Sequence, residues 1–90
     1  MFSLGRIVYT QGVAAKIEDQ TLTKLDLLQL IFRHKSGDWG NLCQEDKDTN
    51  SYAVKHNERI FSSYIINGIK LYVITEWDRS ITTVLLPQEY

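Results

Sequence analysis

The chain is short of the residues that punctuate, cross-link or anchor a protein. One proline, Pro87, and five glycines are spread over 90 residues, and no repeat, low-complexity run or linker separates them. That length has room for one compact domain, residues 1–90, and not for two. The single cysteine, Cys43, has no partner for an internal disulfide. No charged segment followed by an apolar one opens the sequence, so a cytoplasmic protein is expected. With no basic residue beside it, Cys43 reads as a buried small hydrophobe rather than a reactive thiol. The longest apolar stretches, such as Ile81 to Leu86 with its threonines, fall far short of the roughly 18 residues of a membrane span, and no membrane role is expected. Ten basic against eleven acidic side chains leave a net charge of −1. No electrostatic funnel for nucleic acid follows from that balance, although it leaves room for a local basic patch. His34 and His56 stand far apart with no cysteine beside either, and no serine sits in a nucleophile elbow or a Ser-x-x-Lys setting. No metal, covalent nucleophile or cofactor is therefore indicated.

What the chain does have is a β-rich C-terminal third. Arg59 to Ile66 and Ile69 to Trp77 flank Asn67-Gly68, the pair best suited to a type I′ hairpin, whose two central residues need positive φ. The two-residue loop sets the register: Ile66 with Ile69, Tyr64 with Leu71, Ser62 with Val73, Phe61 with Ile74, and Arg59 across from Glu76 as an opposite-charge pair. A turn at Asp78-Arg79 returns the chain along Ser80 to Leu86, with Val73 opposite Val84 and Leu71 opposite Leu86. One sheet face then carries Ile60, Tyr64, Ile66, Ile69, Leu71, Val73, Val84 and Leu86 as the core. The other carries Phe61, Ile65, Tyr72, Ile74, Ile81 and Leu85, too apolar to be left in water. Leu4 to Tyr9 reads as a further short strand and Val13 to Ile17 as a brief helical turn. A helix from Thr23 to Arg33 is announced by the Thr23/Asp26 capping box and ended by Gly37, with Leu25, Leu28, Ile31 and Phe32 on one face and Leu22 and Leu27 widening it. A second helix, Gln44 to His56, has acids at its start, Lys55 and His56 at its end, and few apolar residues, as a surface helix would. The prediction is an α+β fold: a small domain with an antiparallel C-terminal meander of three or four strands packed on two or three short helices. With so few helices to cover two apolar faces, a homodimer meeting through Phe61, Tyr72 and Ile74 is expected.

Two tryptophan-centred clusters gather the polar chemistry. The first, Arg33-His34 through Gly37-Asp38-Trp39-Gly40, places a histidine at a helix end, where the negative helix terminus favours its charged form. It suits a general acid or base or a phosphate contact, and equally a histidine bonding free helix carbonyls. The Gly-Asp-Trp-Gly segment reads as a tight turn that presents Asp38 and drops Trp39 onto the core, or as a binding loop with Trp39 as a stacking platform. The second cluster, Thr75-Glu76-Trp77-Asp78-Arg79-Ser80-Ile81-Thr82-Thr83, lies at a strand turn, with Thr82 and Thr83 read as ordinary strand threonines. It is either a ligand-contacting hairpin end or a salt-bridged turn, Glu76 with Arg59 and Asp78 capping its own loop. The candidate site is therefore Arg33, His34, Asp38, Trp39, Glu76, Trp77, Asp78 and Arg79, expected to converge, with Arg79 pairing Asp38 and Trp39 or Trp77 as an apolar floor.

The same residues carry a resemblance. Arg33-His34, Gly37-Asp38-Trp39-Gly40, Glu45-Asp46-Lys47, Asn50, Arg59, Tyr64, Gly68-Ile69-Lys70, and Ile74 to Ser80 running through Thr82 to Pro87 and Glu89-Tyr90 look like a family of small bacterial proteins encoded on plasmids and other mobile elements. The similarity covers about residues 28 to 90. It implies a mobile-element setting and imports no activity. Two classes of function fit such a setting. One is an interaction protein that binds a host or mobile-element protein, which the near-neutral charge and the apolar second sheet face favour. The other is a small metal-free ribonuclease toxin using His34 or His56, Arg33, Arg79 and a carboxylate, which a basic surface would favour.

Overall fold

The computed structural model describes residues 2–90. A short strand β1 (Arg6–Tyr9) leads into helices α1 (Gln11–Glu18), α2 (Lys24–Lys35) and α3 (Gln44–His56). Three strands follow, β2 (Ile60–Ile66), β3 (Ile69–Thr75) and β4 (Ile81–Leu85), and a closing 3₁₀ turn (Pro87–Glu89). The fold is α+β, as predicted. The strands form one sheet in the order β1-β4-β3-β2; β2, β3 and β4 make the antiparallel meander, and β1 joins it in parallel to β4. Asn67 and Gly68 both take positive φ, 52° and 76°. Phe61 pairs with Ile74, Ser62 with Val73, Tyr64 with Leu71 and Ile66 with Ile69, the register a two-residue turn dictates. Val73 lies opposite Val84, and Arg59 reaches Glu76 at 3.5 Å.

Helix α2 starts as its sequence requires. Thr23 Oγ1 accepts the Asp26 N–H at 3.1 Å, and the Asp26 carboxylate accepts the Thr23 N–H at 3.0 Å. Its inward face is not the expected one. Leu27, Leu30 and His34 are buried and Ile31 packs beside them, whereas Leu25, Leu28 and Phe32 stand in solvent. Six apolar residues between positions 25 and 32 nearly encircle the helix, so two stripes of period 3.6 compete. The phase is decided by Leu22, buried just ahead of the capping box, and by His34, which has hydrogen-bond partners only on the sheet. The main core joins Val13, Leu22, Leu27 and Leu30 to Tyr64, Leu71, Val73, Val84 and Leu86; Trp39, Ala53 and Ile60 form a second cluster under α3.

The two edges of the sheet are treated differently. On β2, the outward N–H and C=O of Phe61 bond the Asn50 side-chain amide at 3.1 and 2.5 Å, and those of Ser63 bond Trp39 O and Asn41 N at 3.2 and 2.6 Å. Gly40 is required there: its φ is +74°, and a Cβ would sit 2.0 Å from Ser63 O. On β1, Arg6 and Thr10 donate inward to Ser80 and Val84, so the alternation of the strand turns the N–H and C=O of Ile7 and Tyr9 outward. No described residue bonds them.

Two further expectations are corrected. Cys43 is exposed; it stands in extended backbone as the N-cap of α3, a position that points its small side chain away from the core. Ile74, placed by sequence at a dimer contact, is buried within the chain at 3% exposure, and its neighbours Phe61 and Tyr72 pack with each other and with Tyr90. Among the described residues no helix is long and apolar enough to cross a membrane.

Candidate functional site

Ser62, Thr75 and Thr82 stand on the core face of three adjacent strands, and each is completely buried. Hydroxyls so placed need partners, and α2 supplies one, His34, also at 0% exposure. Its ring nitrogens lie 2.5 Å from Ser62 Oγ and 2.9 Å from Thr75 Oγ1; Thr75 is 2.8 Å from Thr82, which donates to Leu4 O at 2.7 Å. The backbone carbonyl fixes the direction of every proton. Thr82 has spent its one hydrogen on Leu4 O, so it accepts from Thr75, and Thr75 in turn accepts from His34 Nε2–H. Burial, with the Arg79 charge nearby, pushes the His34 pKa down to about 4. The ring is therefore neutral at pH 7, and Nδ1 accepts from Ser62. A serine donating to a neutral imidazole has the composition of a nucleophile–base pair, but both members are sealed in the core. His34 lies neither on helix carbonyls nor in solvent.

Phe2 seals this cluster. Its ring meets His34 edge-on at 5.3 Å and lies against Trp39 at 6.1 Å, while the Arg79 guanidinium sits over it, 5.7 Å from its centre. Arg79, at φ +60°, spends its guanidinium on main-chain carbonyls: Nη1 on Glu58 at 2.7 Å and Glu76 at 3.0 Å, Nη2 on Ala53 at 2.9 Å. It thereby ties the β3–β4 turn to the C-terminal end of α3 and does not pair Asp38, as sequence suggested. Asp38 instead takes Arg33, with Nε to Oδ2 at 2.7 Å and Nη2 to Oδ1 at 3.3 Å. The guanidinium holds the Asp38 carboxyl below its usual range and lies 4.7 Å over the Tyr64 ring. Local pairing wins because the tight turn after α2 returns Asp38 over the last helical turn, where its N–H bonds Arg33 O. Asp38 is presented and Trp39 buried, as the turn reading expects.

Of the eight candidates, His34, Trp39 and Arg79 gather around Phe2, the first two buried and Arg79 half-buried. Arg33 and Asp38 pair on the surface, Glu76 pairs with Arg59, Asp78 caps Ser80 at 2.6 and 3.0 Å, and Trp77 is exposed. Sequence reasoning missed Phe2 and Ser62; Thr75 and Thr82 lay within its second cluster, with Thr82 read as an ordinary strand threonine. The signal was present in the register, which already set Ser62 on the core face without a polar partner. Among the described residues no three His, Cys, Asp or Glu side chains converge.

The other surface feature is apolar. Leu25, Leu28 and Phe32 on α2 are 63 to 71% exposed, and Ile7 and Tyr9 on the open edge strand 45 and 46%. Ile7 and Tyr9 floor a groove of about 260 Å³ walled by Lys24, Leu27, Leu28 and Ile31, and the α2 stripe continues that wall. Comparison with known protein families, curated proteins and solved structures returns no match.

Proposed function

We propose that this chain is a protein-interaction module, an accessory protein of a mobile genetic element acting in the cytoplasm, and that its working surface is the face made by α2 and β1. One observation carries the reading: Ile7, Tyr9, Leu25, Leu28 and Phe32 form a continuous apolar surface at the open edge of the sheet, on a protein whose core is otherwise well closed. Contiguous apolar surface of this kind marks contact with another protein. Of the polar residues that could have argued for chemistry, His34 and Arg79 are occupied in holding the fold. The ribonuclease alternative depends on an accessible base: His34 is sealed behind Phe2 with both ring nitrogens bonded, and the exposed His56 lies stacked on Tyr52 with its Nδ1 bonded to the Tyr52 carbonyl. Arg79 is likewise spent on carbonyls. The mobile-element setting rests on the sequence resemblance.

The test separates surface from scaffold. Leu28→Glu with Phe32→Glu alters exposed side chains and is expected to leave the unfolding free energy within about 1 kcal/mol of the parent. It should abolish copurification of protein with the tagged chain from cells carrying the element. His34→Gln is expected to lower the melting temperature while the folded fraction keeps its partner. Retention of the partner by the double glutamate variant would overturn the proposal.

A further inference from the structure

We infer that the occupant of the α2–β1 surface is a second copy of this chain, joined by antiparallel pairing of the two β1 strands across a two-fold axis at Val8. The inference rests on the interaction reading above and names its partner.

The backbone makes the edge self-complementary. Ile7 and Tyr9 are the β1 residues whose N–H and C=O face outward, because Arg6 and Thr10 donate inward. With the axis at Val8, Ile7 of each chain lies opposite the partner's Tyr9. In an antiparallel ladder such a pair exchanges both of its hydrogen bonds, so every outward group of β1 is used and the sheet becomes continuous across both chains. The side chains agree with the backbone. Ile7 and Tyr9 share the sheet face of their parallel neighbours Thr82 and Val84, the face that carries the helices. Each Ile7 would therefore meet an aromatic ring in a favourable cross-strand pair, roofed by Leu28 from both α2 helices. Along the paired strands charge raises no objection: Arg6 falls opposite Thr10, and β1 holds no other ionic residue; Lys24 is the one charged residue lining the groove.

The area is of the right size for a small dimer. The five exposed side chains present on the order of 600 Å², and a stable interface takes roughly 800 Å² from each partner; the paired backbone and Val8 make up much of the difference. The chain also discriminates between its edges. Asn50 and the Trp39–Asn41 loop block β2, whereas β1, though only four residues long and headed by Arg6, carries no proline and has no described element laid along its outer edge.

Sedimentation equilibrium of the purified full chain is expected to give a dimer at micromolar concentration, and Leu28→Glu a monomer with an unchanged circular-dichroism spectrum. In a Cys43→Ser background, Val8→Cys should oxidise to a covalent dimer, since residues at the axis lie about 4.5 Å apart, Cα to Cα, within disulfide reach. A monomer throughout overturns the inference, and so does a dimer that Leu28→Glu leaves intact and Val8→Cys fails to lock. A monomer that still loses its cellular partner when Leu28 and Phe32 are charged refutes the second copy alone. Loss of neither dimer nor partner refutes the interaction reading as well.

Discussion

A histidine at the end of a helix and a histidine sealed between strand hydroxyls obey different electrostatics, and His34 is the second kind. The helix terminus would raise its pKa; burial lowers it to about 4, against about 6.5 in an unfolded chain. Between these values the unfolded chain binds a proton that the folded chain refuses, so stability rises with pH across the window and is lost as pH falls from 6.5 toward 4. The whole effect is at most about 3 kcal/mol, from the separation of the two pKa values. Urea unfolding should therefore show a marked loss of stability between pH 6.5 and 4.5, and His34→Gln should flatten the profile there while lowering stability at pH 7. A parent profile that is flat over this window would contradict the buried neutral ring. Sequence placed His34 among the candidate residues at the end of α2. It could not supply the environment, because that depends on which stripe of α2 turns inward.

At the scale of the element, local rules were readable where one residue pair determines the geometry. Asn67-Gly68 fixes the hairpin and through it the register of β2 on β3; Thr23 and Asp26 fix the start of α2; the charges at its two ends place α3 at Gln44–His56. What was not readable depends on tertiary choice: the rotation of α2 when two apolar stripes are available, and Arg79 turning to the carbonyls of α3 rather than to Asp38. The loop from Trp39 to Asn41 is the element that fits least freedom. It lies along the edge of β2 only because residue 40 has no side chain. Gly40→Ala meets both positive φ and a backbone oxygen, and is expected to cost about 3 kcal/mol or more; chemical denaturation would measure it. A loss below about 1 kcal/mol would mean that the loop does not guard this edge.

For the whole molecule, His34, Trp39 and Arg79 of the constellation that sequence offers as a site help a small domain close itself, and α2 and β1 leave apolar side chains exposed. Glu89 shows the same economy at the other end of the chain. Its carboxylate accepts from Thr10 at 2.5 Å and from Gly12 N at 2.9 Å, fastening the C-terminal turn to the start of α1, where the helix favours negative charge. The central claim is that α2 and β1 work by contact with protein. The direct measurement is photo-crosslinking in cells expressing the protein, with a photoreactive residue at position 28 and, as control, at position 48 on the polar face of α3. Discrete protein adducts are expected from position 28 and none from position 48. Adducts to RNA, or equal and diffuse labelling from both positions, would contradict the claim.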